Sequence, residues 1–406
     1  MVDLKKILKY GSSLYPLLWA AAAQPAADGT NTLQVSVSET VGYDDNLFRL
    51  PSRLDPSKVL PPGSSKTDVI NQLSVGGKIN YAVSRQKFLL DLHLSDNRFA
   101  NNQSLNNTST NDRATWQWEF GRQLSGNAGY GYRRSLASFA YTPANVKDII
   151  TDNDAFVDVN YTWHPRWRMT SGARWHDSTH SNRFRAILDM QSVTGLIGLH
   201  YVAPSNNSTG MEYRFTDVDL PNRLPSPDTL IGNHYQAQTI SAVLAWRFTE
   251  KTRLDGRFGY TSLENRQFSE RDFSGETWRL TVGWAPTAKM KLSLAGWREL
   301  QPSELVNASY VVSEGVSFSP VWSPTSKMAI EVRVAHETFD YEGSPGLLQG
   351  VPGRQDTLWS GRVAAAYSPV RNAEINIAYL AQQRDSTTPL AGYTDNSVFA
   401  SAKLQF

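Results

Sequence analysis

The residues best placed for chemistry are basic side chains at alternate positions of extended segments. In residues 278–297 (WRLTVGWAPTAKMKLSLAGW), Arg279, Lys289 and Lys291 alternate with large apolar residues. Successive strand residues point to opposite faces, so one face of this hairpin is charged and the other is apolar. Guanidinium and ammonium groups can bind anions or pair with carboxylates, and an isolated buried charge is costly. The charged face is therefore predicted to line water.

The same alternation along the chain predicts a set of charged residues that share the water-facing side. The basic members are Arg168, Arg174, Arg214, Arg247, Arg253, Arg257, Arg279, Lys289, Lys291, Arg333, Arg362 and Arg384. The acidic members are Asp91, Glu119, Asp158, Glu212, Asp255, Glu299, Glu331 and Glu374. A mixed, slightly cationic wall would pass hydrated polar solutes and mildly favour anions. The alternative is that these charges only solvate the wall and pair across strands.

Patterns for catalysis or metal binding are weak in this chain. Asp44, Asp45 and Asn46 offer oxygen ligands for a hard cation or for sugar hydroxyls, but Asp and Asn are also usual where a strand ends in a turn. His176 and His180 lie four residues apart, which on a strand leaves them on one face but well separated. No Ser or Asp stands in a recognisable arrangement with an oriented His. The sequence predicts no enzyme, no metal and no cofactor.

Composition and the first residues indicate the compartment. The 406 residues include no cysteine, and 40 basic against 38 acidic residues argue against a nucleic-acid partner. Three lysines precede the apolar stretch 14–23 (LYPLLWAAAA), which is too short to span a bilayer and ends in small residues. Residues 1–23 are therefore predicted to be a signal peptide, with cleavage as late as residue 27, and residues 28–406 a single domain. The alternative is an N-terminal amphipathic or anchoring helix.

Aromatic residues recur at a fixed position, each closing an alternating segment just before a short turn. They are Tyr81, Phe120, Trp163, Tyr201, Trp246, Trp284, Trp322 and Tyr367, and the chain ends on Phe406. The spacings run from 38 to 45 residues, and longer polar stretches lie midway between the turns. Each period therefore reads as strand, tight turn, strand and long loop. A propeller blade of this length would need four short strands instead.

This pattern predicts an all-β fold, a transmembrane antiparallel up-and-down β-barrel of about 18 strands, with 16 possible, beginning at residues 32–41. Short periplasmic turns and long extracellular loops are typical of barrels in the outer membrane of Gram-negative bacteria. The apolar face is predicted to contact membrane lipid and the charged face to line the lumen. The eight aromatic residues would form a girdle at the periplasmic interface. The alternative is that they are core residues of a soluble sandwich.

Two short segments resemble known outer-membrane proteins. The C-terminal strand 398–406 (VFASAKLQF), ending in Phe406, resembles the signal by which barrels reach their assembly machinery. A second segment, made of Tyr43, Asp44, Asp45, Asn46, Leu47, Phe48 and Arg49, resembles the opening motif of the EpsL-type outer-membrane proteins of exopolysaccharide and exosortase (PEP-CTERM) loci, which are related to β-barrel porins. The resemblance implies a pore for export of an exopolysaccharide, working with periplasmic components of an export system.

Other functions stay open at this point. The barrel could be a general or nutrient diffusion porin, or a structural or adhesive barrel whose loops bind surface glycan. The segment 49–66 (RLPSRLDPSKVLPPGSSK), with four prolines, is the best candidate for a constriction of the pore. Its alternative is a flexible external loop.

Overall fold

The computed structural model describes residues 31–140, 145–226, 232–303, 308, 310–342 and 353–406. The predicted signal peptide lies outside the described residues. Within the described part of the chain, no helix is both long and apolar enough to cross a membrane.

The described residues fold into eighteen β-strands joined by turns and loops. The strands are β1 Thr32–Asp44, β2 Asp68–Val83, β3 Gln86–Phe99, β4 Asn107–Phe120, β5 Leu124–Leu136, β6 Ile149–His164, β7 Trp167–His180, β8 Met190–Val202, β9 Ser208–Asp219, β10 His234–Arg247, β11 Thr252–Asn265, β12 Phe273–Thr287, β13 Met290–Pro302, β14 Tyr310–Thr325, β15 Met328–Glu342, β16 Gln355–Val370, β17 Ala373–Ser386 and β18 Tyr393–Gln405. Four one-turn 3-10 helices lie in the described parts of the loops, at Pro56–Lys58, Gln103–Leu105, Ala186–Leu188 and Ser269–Arg271.

Every strand pairs antiparallel with its neighbours in the chain, and β18 pairs with β1. The sheet is therefore a closed barrel without a free edge, and the predicted fold and the strand count of 18 are confirmed. Closure matters in a membrane because lipid offers no hydrogen-bond partner to an unpaired backbone group.

The register separates the two faces of the wall. Leu90 of β3 pairs with Ile79 of β2 and Ala114 of β4, whereas Asp91 pairs with Lys78 and Arg113. The apolar face is open to its surroundings, with Leu94, Ile240 and Ile377 exposed by 53, 57 and 56%. Large aliphatic side chains in such number on the outside of a closed barrel form a surface suited to lipid, not water.

The two ends of the barrel differ as predicted, but the turns lie further from the aromatic residues. Strands β12 and β14 end at Thr287 and Thr325, three residues after Trp284 and Trp322. A β-bulge in each hairpin takes up these residues, at the point where Pro286 or Pro324 has no N–H for the ladder. The eight periplasmic turns are residues 84–85, 121–123, 165–166, 203–207, 248–251, 288–289, 326–327 and 371–372.

Candidate functional site

The inner face of the wall carries nineteen of the twenty charged residues predicted to line the lumen. Lys289 is the exception. It lies exposed in the turn 288–289, and its Nζ donates to the carbonyl oxygen of Pro324 at 2.9 Å. The bulge after Trp284 shifts the turn, which is why alternation in the sequence misplaced this lysine.

The eight predicted girdle residues all have outward-facing positions near the turns. Most are well exposed, with Phe120 at 53% and Trp284 at 49%. Tyr201 contacts the ring of Trp167 at 5.5 Å between centroids. Phe406 lies at the same end, and its backbone N–H donates to Val35 at 2.7 Å.

Arginines face each other directly across neighbouring strands of the inner wall. The register pairs Arg247 with Arg253, and Arg257 with Arg279. It also pairs Arg333 with Arg362. Like charges directly opposite one another destabilise a sheet. The wall therefore holds positive charge at a cost to its own stability.

Carboxylates on the same face neutralise part of this charge. Arg279 donates two hydrogen bonds to Glu299, at 2.7 and 2.6 Å. Arg257 contacts Glu212 at 2.7 Å, and Arg362 contacts Glu331 at 3.2 Å. The side chains of Arg257 and Arg279 are still 37% and 31% exposed. Solvent therefore reaches the middle of the inner wall, which is a wetted surface and not a packed core.

Further polar residues of the inner wall were missed in the sequence. Arg113 follows the polar stretch 101–111 (NNQSLNNTSTN), whose composition is typical of a loop, yet β4 already begins at Asn107. Its guanidinium lies over the ring of Phe156 at 4.9 Å, and Arg174 lies over the same ring at 5.8 Å. Lys78 and Lys403 also face inward, Lys78 at 3.3 Å from Asp91.

Three extracellular loops pack together over the inner wall at the mouth. We call them the lid: residues 45–67, 100–106 and 137–148, of which 141–144 lie outside the described residues. Their apolar core consists of Leu47, Phe48, Leu50, Leu60, Phe99, Leu105 and Phe139. Phe99 and the adjoining Ile70 belong to the inner faces of β3 and β2. The segment 49–66 therefore packs on the lumen side of the wall, and its constriction of the pore stays a prediction.

Polar contacts join the three loops of the lid to one another. Asn145 Nδ2 donates to Ser64 Oγ at 2.7 Å and to Asn102 Oδ1 at 3.3 Å. Asn102 in turn donates to Asp68 of β2 at 2.8 Å. The rings of Phe48 and Phe139 meet edge to face at 4.9 Å. The lid is thus one packed unit.

The segment 43–49 fastens the lid to β18. Arg49 Nη1 lies 3.0 Å from Asp44 Oδ2 and 2.8 Å from Asp395 Oδ1. Asn46 is fully buried and donates from Nδ2 to the carbonyl oxygens of Leu50 and Thr394, at 2.8 and 2.7 Å. Arg49 also has a left-handed backbone, with φ of 55°, which costs a non-glycine residue some stability.

These contacts decide the chemistry of the acidic residues near the motif. The oxygens of Asp44, Asp45 and Asp395 lie close enough together for a cation, but the Arg49 guanidinium already occupies the space between Asp44 and Asp395. Burial alone would lower the pKa of Arg49, but the charges of Asp44 and Asp395 outweigh it and raise that pKa above its ordinary value. The protein's own arginine is thus the cation of this cluster.

Arg384 was predicted to line the lumen and lies on the inner face, but it is only 1% exposed. It contacts Asp356 at 2.6 Å and donates to Tyr341 Oη at 2.7 Å. Its Nη1 also reaches the carbonyl oxygen of Ala140 at 3.5 Å. Arg384 thus connects β17 to the third lid loop and is not open to a solute.

Six of the seven histidines in the described residues form local ion pairs or hydrogen bonds, and His336 packs against the ring of Trp359 at 4.4 Å. Thr170 Oγ1 and Glu212 Oε1 both lie near the same ring nitrogen of His200, Nε2, at 3.0 and 3.6 Å. A relay for nucleophilic catalysis needs the acid on the opposite nitrogen. At the extracellular end of the barrel, His234 contacts Asp219 at 2.7 Å through Nδ1 and Asp217 at 3.3 Å through Nε2. Both nitrogens of His234 are thus engaged.

Comparison with known proteins gives the fold but no family. No protein-family model and no curated protein matches the chain. The fold matches OpdQ of Pseudomonas aeruginosa with a TM-score of 0.51 and 9% identity, over 93% of this chain and 98% of that chain. For OccAB3 of Acinetobacter baumannii the TM-score is 0.49 and the identity 10%, over 93% and 100%. For the outer membrane protein OpdK of Pseudomonas aeruginosa they are 0.47 and 9%, over 92% and 99%.

The chain is an 18-stranded outer-membrane β-barrel with the porin fold. Its closed wall, apolar exterior and wetted, charged interior are those of a β-barrel of the Gram-negative outer membrane. The EpsL-type resemblance of residues 43–49 stays a prediction.

Proposed function

We propose that this barrel is an outer-membrane channel through which an anionic exopolysaccharide, or fragments of one, leaves the cell. The three pairs of facing arginines carry this proposal. A wall that only needed to hold water could alternate arginine with carboxylate and avoid the repulsion. Arginines kept together on a wetted surface suit a ligand that brings negative charge.

A polymer explains the distribution of these charges better than a small solute does. The pair Arg333 and Arg362 lies on β15 and β16, while Arg247, Arg253, Arg257 and Arg279 lie on β10 to β12. Arg113 and Arg174 add cations on β4 and β7. A chain with many carboxylates can touch several of these sites at once, whereas a small anion uses one. The segment 43–49 lies at the mouth, and its resemblance to EpsL-type proteins is the reason for proposing that the polymer is a polysaccharide.

Blockade of single channels by an acidic oligosaccharide tests the proposal. In planar bilayers, oligogalacturonate of defined length is expected to interrupt the current, while a neutral maltooligosaccharide of equal length interrupts it far less. The double variant Arg257→Gln/Arg279→Gln should raise the dissociation constant of blockade by about tenfold for each arginine, the loss of one charge-assisted hydrogen bond.

A matched control removes two cations elsewhere. Arg98 lies on the outer face of β3 and Arg53 lies in the first loop, both exposed, so Arg53→Gln/Arg98→Gln should leave blockade unchanged. If the channel conducts but acidic oligosaccharides do not block the current, the result would argue for a general diffusion porin. A barrel without conductance would argue for an adhesive role.

A further inference from the structure

The periplasmic turns carry positive charge almost without exception. Seven of the eight turns contain one basic residue, and the single acidic residue among them is Glu250. The seven residues are Arg85, Arg122, Arg166, Lys251, Lys289, Lys327 and Arg371, all exposed. No carboxylate lies within ion-pair distance of them in the part of the chain that the structure describes. The extracellular loops, by contrast, mix both signs, as in the pair of Arg185 with Asp148.

The lysines of three consecutive turns have the same local structure. The segments 249–251, 287–289 and 325–327 all read Thr-x-Lys, and the threonine Oγ1 accepts the lysine N–H at 3.1, 3.3 and 3.3 Å. Each lysine Nζ then donates to a proline carbonyl oxygen of the next hairpin, at 3.3, 2.9 and 2.7 Å. Arg85 Nη1 likewise donates to the carbonyl oxygen of Gly121 in the next turn.

These contacts fix the positions of the charges along the rim. An ammonium group has three donors, so each lysine keeps donors free after its contact with a carbonyl oxygen. Neighbouring turns are two strands apart, which is about 10 Å around the barrel. Four of the seven rim cations are thus held by backbone carbonyl oxygens of the next hairpin.

The charge continues into the lumen. Arg168 follows Arg166 by two residues, and Lys291 follows Lys289 by two, both on the inner face. Arg247 and Arg253 flank the turn 248–251 and also face inward. The outward positions nearest the turns are aromatic or aliphatic instead. Continuity with the inner wall favours a ligand that passes through the pore over the phosphates of surrounding lipid.

We propose that the periplasmic turns form a ring of fixed positive charge that captures an anionic polymer at the periplasmic mouth and so favours loading from that side. This inference rests on the proposed export channel and adds the side from which the polymer enters. Capture of this kind acts on the association rate, which electrostatic steering raises by about 10 to 1,000 times and salt suppresses.

Single channels of known orientation allow the blockade rate to be measured separately from the turn side and from the loop side. Because the chain has no cysteine, a Ser52→Cys variant in the first loop reports orientation through a membrane-impermeant thiol reagent added to one compartment. Oligogalacturonate at about 0.1 M salt should block with a higher association rate from the turn side than from the loop side. The variant Arg122→Gln/Arg166→Gln/Arg371→Gln should lower the turn-side rate by about tenfold, and the effect should vanish near 1 M salt.

Among the described residues, the three arginines of this variant form no side-chain hydrogen bond that holds a neighbouring turn, unlike the lysines, so the barrel is expected to fold and conduct normally. The control Arg53→Gln/Lys58→Gln/Arg183→Gln removes equal charge from the extracellular loops and should leave the turn-side rate unchanged. Equal rates from both sides, or no effect of the turn variant, would overturn the ring while leaving the channel proposal intact. Absence of any blockade would overturn both. If the turn variant binds less phosphatidylglycerol in nanodiscs but is blocked at an unchanged rate, the ring binds lipid headgroups and not the polymer, which would also overturn the proposal.

Discussion

Arg49 joins the first loop to two strands of the wall, through Asp44 of β1 and Asp395 of β18. The sequence marks residues 43–49 as a motif, but it gives no sign of Asp395, which lies 346 residues further along the chain. Only closure of the barrel brings β18 beside β1. The partner of Arg49 was therefore not predictable from local spacing, and the same holds for Asn46 with Thr394.

Replacing Arg49 tests this contact. Arg49→Leu leaves Asp44 and Asp395 buried without their cation, so the lid should loosen locally by about 3 kcal/mol. Hydrogen exchange of the amides of Asn46 and Leu50 is expected to accelerate by roughly two orders of magnitude. The control Arg53→Leu changes an exposed arginine of the same loop and should not alter exchange. Unchanged protection in Arg49→Leu would show that the guanidinium does not hold the lid.

At the scale of elements, strands were predictable and loop packing was not. Period-2 alternation with an aromatic residue near each turn predicts all eighteen strands, because lipid and water impose opposite requirements on the two faces. The lid depends on contacts between loops that have no periodicity, such as Phe48 with Phe139. The repeated turn words WAPTAKM (284–290) and WSPTSKM (322–328) are a signal in the sequence that could have placed Lys289 in a turn.

The aromatic core of the lid should control the width of the mouth. Phe139→Ala removes a ring that is 8% exposed, and such a change costs about 3 to 5 kcal/mol. We expect the third loop to detach from Phe48, and single-channel conductance and current noise to increase. Phe184→Ala, in the loop after β7, removes a ring that is 78% exposed and should change neither. Equal conductance in Phe139→Ala and the unmodified protein would show that the lid does not limit the pore.

At the scale of the whole molecule, the barrel combines an apolar exterior, a charged interior with facing pairs of arginine and a basic periplasmic rim. The first follows directly from the sequence pattern. The charged interior follows in part, because alternation predicts that these charges lie on the inner face but cannot show which arginines meet across strands. Register decides those pairs, and it depends on turn lengths that a β-bulge changes by one residue. The substrate is not predictable in this way, because strand alternation carries no information about which ligand the arginines bind.

The ion selectivity of the open channel tests the central claim most directly. In a bilayer with about a tenfold gradient of potassium chloride, the facing arginine pairs of the inner wall should displace the reversal potential toward the equilibrium potential of chloride. The displacement should shrink in Arg257→Gln/Arg279→Gln. A reversal potential displaced toward that of potassium, or a barrel that passes no current, would contradict a conducting lumen whose selectivity is set by the facing arginines.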